Sequence, residues 1–223
     1  MRIRVWHITV SLAIVALISS CKGSNDTYPS VQLEFVTGQA TGKGQLNTIT
    51  TDKNKTYLVS KDRTNTVYEA NKSVRIVANY AIEVVNGDST ADIYASTRAI
   101  ATIPQTPDKF VNGIKNDPAE VLSIWQGRNY LNIVLNVLSQ SQAHTFAFVE
   151  QSATLESDGR YHVSILLYHD SNNDLKAYTK RAYLSIPLIQ YAGTNQKGGI
   201  ITFSLYTNDG TLKSYVFDYT PQK

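Results

Sequence analysis

The chain has 223 residues, with 21 Lys+Arg against 18 Asp+Glu and a formal net charge of +3. So small an excess gives no basic footprint of the kind a nucleic-acid surface requires. Its one cysteine excludes an internal disulfide framework and a thiolate metal cluster, so the folded part depends on its hydrophobic core.

Arg2 and Arg4 precede an apolar run from Ile8 to Ile18, which ends at Ser19-Ser20-Cys21. A positive start, an apolar core of about 7–15 residues and small residues before a cut are the parts of a secretory signal. Thr9 and Ser11 interrupt the run, which is shorter than the roughly 20 apolar residues of a membrane-spanning helix. Ile18-Ser19-Ser20-Cys21 resembles a bacterial lipobox. Residues 1–20 are therefore read as a lipoprotein signal peptide, and Cys21 as the lipidated first residue of the mature chain. Removing Arg2 and Arg4 leaves 21 − 2 = 19 basic against 18 acidic side chains, a net of +1. Each buried CH₂ of an acyl chain contributes about 0.8 kcal/mol, and one chain alone holds weakly. Lipoproteins, by resemblance, carry several. Polar, turn-rich residues 21–30 read as a tether. Lys22, rather than Asp, after the cysteine favours the outer membrane. The expected address is the cell envelope, lipid-anchored to the outer membrane, facing the periplasm or the outside.

Period-2 alternation runs through most of the chain after this tether, and helical periodicity is nearly absent. Val31–Val36 alternates cleanly, and the Gly/Thr-rich stretch Thr37–Gly44 reads as a loop. Thr56–Ser60 is a short strand. Ser73–Val85 and Ala91–Ile103 flank Asn86-Gly87-Asp88 and read as a hairpin. Pro104, Pro107, Gly113 and Pro118 break the pattern and mark a boundary between two β units. Asp117-Pro118-Ala119-Glu120-Val121 has the proline position of a short helical turn. In Tyr130–Leu138, residues Leu131, Ile133, Leu135 and Val137 share one face, with Asn132 and Asn136 on the other. Further strands are expected at Thr145–Val149, Tyr161–Tyr168, Tyr178–Leu188, Ile200–Thr207 and Lys213–Tyr219, with a polar turn at His169–Asp174. About eleven strands with short turns specify an all-β protein, sandwich or barrel.

Asn116-Asp117-Pro118, Ser123-Ile124-Trp125 and Asn129-Tyr130-Leu131-Asn132-Ile133, in this order after a lipobox and a β-rich first half, resemble the NigD-like lipoproteins of Gram-negative bacteria. Tyr161-His162 and the closing Asn208-Asp209-Gly210 hairpin are similar too. The resemblance implies an N-terminal OB-like small barrel, residues 31–110, followed by a C-terminal antiparallel β-sandwich, residues 111–223. It also implies an association with bacteriocin immunity, and it carries over no catalytic residue. The OB label alone licenses no nucleic-acid function.

No serine elbow, phosphate-binding glycine loop or His-Glu-x-x-His motif is present. No catalytic residue, metal or cofactor is assigned. His169-Asp170 with Asp174 is a spacing open to a divalent ion, but such sites need several convergent ligands, and a solvated turn is the preferred reading. His144 and His162 read as surface or cross-strand residues on the polar faces of strands. Scattered carboxylates such as Asp52, Asp62, Glu69 and Glu83 form no motif for glycoside hydrolysis. Trp125 and Tyr130 are the candidate partner contacts, since exposed aromatic side chains stack on sugars or anchor proteins. The alternative use for Trp125 is packing the two β units together. The sequence points to a non-enzymatic envelope protein, anchored in the membrane by lipid, with a protein or glycan partner and no nucleic acid. Bacteriocin immunity and hydrolysis of envelope glycans are the alternatives.

Overall fold

The computed structural model describes residues 30–222; the expected signal peptide, Cys21 and the expected tether as far as Pro29 lie outside these. The first five strands are β1 (Val31–Ala40), β2 (Leu46–Thr51), β3 (Thr56–Asp62), β4 (Ser73–Val85) and β5 (Asp88–Arg98). They close into a barrel in the order β1-β2-β3-β5-β4, the arrangement expected for an OB-like unit. A parallel β3–β5 pair completes the circle and removes the free edges that an open sheet would expose. Val36, Ile49, Ile76, Tyr80 and Ile93 fill the interior, and Tyr68, from the β3–β4 connection, plugs it. At the β4–β5 turn, Asn86 and Gly87 take φ of 54° and 91°, the left-handed pair that a tight hairpin needs.

Seven more strands follow among the described residues: β6 (Glu120–Gly127), β7 (Tyr130–Ser139), β8 (Thr145–Leu155), β9 (Tyr161–Asp170), β10 (Tyr178–Pro187), β11 (Gly199–Tyr206) and β12 (Leu212–Tyr219). They form one sheet of order β10-β7-β6 and one of order β12-β11-β9-β8. Leu131, Ile133, Leu135 and Val137 meet Phe148, Ile165, Leu184, Phe203 and Tyr219 between the sheets, giving a sandwich core. The polypeptide is thus all-β, a small barrel followed by a sandwich.

Four sequence expectations change locally, and one of them is β6, a strand where none was expected. Thr37–Ala40 is strand rather than loop, because it pairs with both β2 and β4. β2, rich in threonine, lacks a strong apolar pattern and is an additional strand. Residues 115–119 are extended, not helical. Asp117 N–H donates to the His169 carbonyl, His169 N–H to Lys115 and Ala119 N–H to Tyr206. Their backbone groups are thus taken by the sandwich. The same connecting segment bonds β10 at Ile100 and β8 at Gln105, which ties it along the sandwich.

Candidate functional site

The barrel packs its β1–β4 wall against the outer face of the β10-β7-β6 sheet. Phe35 and Val77 of the barrel meet Val134 and Tyr183 of the sandwich. Phe35 stands edge-on to Trp125 at 5.5 Å and to Tyr183 at 6.1 Å, the favoured aromatic geometry.

Beside this apolar contact lies a buried polar cluster. Arg75 of β4 donates through Nη2 to both carboxylate oxygens of Asp52, at 2.6 and 2.7 Å, and to Asn132 Oδ1 at 3.0 Å. Its Nε donates to Ser185 Oγ at 3.0 Å, and Nη1 to Thr37 Oγ1 at 3.2 Å. Asn132 Nδ2 donates back to Asp52 at 2.7 Å, and Ser185 donates to Asn132 at 2.7 Å. The guanidinium lies 4.1 Å above the Tyr130 ring, a cation–π contact. Arg75, Thr37 and Asp52 come from the barrel; Asn132, Ser185 and Tyr130 come from the sandwich. A buried charge is tolerated only with its hydrogen bonds satisfied, and here they are satisfied across the seam. Gly127 makes the close approach possible. A Cβ there would stand 2.2 Å from Asp52 Oδ2 and 2.7 Å from Asn132 Nδ2.

A second cluster lies at the other end of the sandwich. His144 Nδ1 and His169 Nε2 are 2.9 Å apart. His169 Nδ1 donates to the Asp117 carbonyl at 2.8 Å, and His144 Nε2 faces Asp174 Oδ2 at 3.3 Å. Asp174 also accepts from Ser139 Oγ and the Gln140 N–H, both at 2.7 Å. Phe146 stacks on His169 at 4.5 Å. Asp174 closes this run of contacts at its far end. Burial alone would raise its pKa, but the Ser139 hydroxyl and the amides of Ser141, Gln140 and Gln142 hold it well below the usual carboxylate range. Burial, together with the neighbouring charge at His144, lowers His169. The ring nitrogens that would bind a metal are spent on each other, and among the described residues no group of three His, Cys, Asp or Glu could hold an ion.

The family described as "NigD-like C-terminal beta sandwich domain" matches residues 101–219. A solved NigD-like immunity protein from Bacteroides caccae is 38% identical, with a TM-score of 0.74, over 87% of this chain and 99% of its own. The chain belongs to the NigD-like family. A protein of unknown function from Bacteroides vulgatus shares the fold at 18% identity and a TM-score of 0.64, over 85% of this chain and 91% of its own. So does a candidate lipoprotein from Bacteroides fragilis, at 14% and 0.64, over 87% and 100%. No curated protein matches the chain.

In this NigD-like chain the two aromatic residues singled out from sequence both sit at the seam. Trp125 packs on Phe35 yet stays 38% exposed, and Tyr130 lies beneath Arg75. Asp170, His169 and Asp174 do not converge on one point: His169 is buried at 1% exposure, and Asp170 caps the Asn172 N–H. Of the two readings of His144, surface or cross-strand, the second holds: only 5% of its side chain is exposed, and its ring meets His169. Sequence reasoning misses Arg75, Asp52 and Asn132 as a cluster. The available signal is Arg75 itself, a charge inside the apolar run Val74-Arg75-Ile76-Val77, where an unpaired cation is rarely tolerated.

Proposed function

We propose that this NigD-like chain is a lipid-anchored protein of the cell envelope, fastened to the outer membrane through Cys21, which binds a protein or glycan partner and catalyses no reaction. The leader ending in Ile18-Ser19-Ser20-Cys21 supports the address. Among the described residues no helix is long and apolar enough to cross a membrane. The observation that carries the binding role is Trp125. It lies on β6, an edge strand of its sheet, and remains more than a third exposed while Phe35 holds its ring upright. A pre-oriented aromatic ring costs little side-chain entropy on binding. The ionisable groups closest to the chemistry of catalysis, Arg75, Asp52, His144, His169 and Asp174, are committed to one another, which favours a scaffold role. The test is capture from envelope extracts and glycan arrays by the chain from Lys22 onward. A specific partner lost in Trp125→Ala supports the reading; capture of nothing by the parent chain removes it.

Bacteriocin immunity is a second reading, supported by the neighbour from Bacteroides caccae, which is named as an immunity protein. Deleting the gene should then sensitise the cell to a co-encoded toxin. Unchanged sensitivity to every such toxin eliminates this role.

A further inference from the structure

A pocket of about 200 Å³ opens beside the seam, lined by Thr37, Arg128, Asn129, Tyr130, Pro187 and Ile189. Arg128 is in the left-handed region at φ 51°, a conformation unfavourable to a long side chain. Of the nine described non-glycine residues with positive φ, seven are asparagine, the residue best suited to that region. An arginine at the turn between β6 and β7 is therefore a local conflict. Among the described residues its guanidinium has no hydrogen-bond or ion-pair partner, and its Nε is shut off from solvent as well. The Tyr130 hydroxyl likewise has no partner there, while its ring is fixed by Arg75. Among the described residues no carboxylate lines the pocket, and Pro187 with the 53%-exposed Ile189 forms an apolar wall.

We infer that this pocket binds the free C-terminal carboxylate of a peptide whose last residue is aliphatic. Arg128 supplies the cation, through a planar fork matched to a carboxylate. The Tyr130 hydroxyl donates to the same group, and the apolar wall receives the terminal side chain. The volume lies below the roughly 300–1,000 Å³ of drug-sized sites, which suits a chain end. The inference deepens the proposed binding role and rests on it. Local strain kept beside an unpartnered charge is the pattern of a site held for a ligand.

The experiment is calorimetric titration of the chain from Lys22 with N-acetyl-Ala-Leu as free acid, and with the C-terminal amide. The free acid is expected to bind saturably, and amidation or Arg128→Gln to weaken binding at least about tenfold, the effect of losing one charged hydrogen-bonded contact. Arg128→Asn should abolish binding and raise the melting temperature, because the strain is relieved while the fold is kept. Equal binding of acid and amide overturns the inference, as does competition by acetate as strong as by the peptide. Asn129 pins the chain's own tail through Gln222, so a chain ending at Thr220 is tested as well. Binding seen only in that shortened chain assigns the pocket to the tail and overturns the inference. Partner capture that survives Arg128→Gln, with no peptide binding by the parent chain, rejects the pocket and leaves the Trp125 reading standing.

Discussion

Arg75→Met removes the cation from the seam while keeping much of its apolar bulk. The side chain is 2% exposed and Asp52 15%, so the aspartate is left as a nearly buried charge with Asn132 as its remaining side-chain partner. Breaking a buried pair from one side costs about 3–5 kcal/mol. A folded part of this size shifts by about 2–4 °C per kcal/mol, so the melting temperature should fall by about 6–20 °C. The same loss should appear as a lower midpoint in urea unfolding followed by near-ultraviolet dichroism, since Tyr130, Phe35 and Trp125 sit at the seam. Arg75→Met with Asp52→Leu takes out both charges and should recover more than half of the deficit, the behaviour of a pair rather than of two independent sites. A single-variant loss below about 1 kcal/mol, the range of a solvent-exposed pair, would refute the claim that the cluster locks the barrel to the sandwich. So would a double variant whose loss is the sum of the two single ones.

Gly127→Ala places a methyl group against Asp52 and Asn132 and should cost about 1–3 kcal/mol by overpacking. An unchanged urea midpoint would show that the seam gives way more easily than its distances imply. His169 has a folded-state pKa below its ordinary value, so its contribution is complete above about pH 6.5 and is lost as the pH falls towards the folded value. The urea midpoint should therefore drop as the pH is lowered from neutral, and His169→Gln should flatten that slope. Asp174, also held low, adds a further loss below about pH 4. A midpoint that rises on acidification would contradict both assignments.

The fold is legible where one side of a strand is plainly apolar. Leu131, Ile133, Leu135 and Val137 announce the inner face of β7, and all four are buried in the sandwich. The opposite face is misleading. Asn132 lies on the polar face of β7, yet it is fully buried because the barrel covers it. Alternation reports which side of a strand is oily, not what later packs on the polar side. β2 and β6 are illegible for a related reason: Thr48, Thr50 and Thr51 in one, and a bulge between Val121 and Ser123 in the other, interrupt the period. Trp125 and Tyr130 can be picked out by residue type. Their partners Phe35 and Arg75 lie some ninety and fifty-five residues away in the chain, a distance no local pattern spans. His144 and His169 stand out only singly in the sequence, and the β8–β9 pairing, which sets Phe146 opposite His169, is what brings their rings together.

The proposed address is tested most directly by growing cells in radioactive fatty acid and separating membranes from soluble fractions. The parent chain should carry label and sediment with the outer membrane, and Cys21→Ser should be unlabelled and soluble. Label and sedimentation that survive the loss of that sulfur would contradict the account.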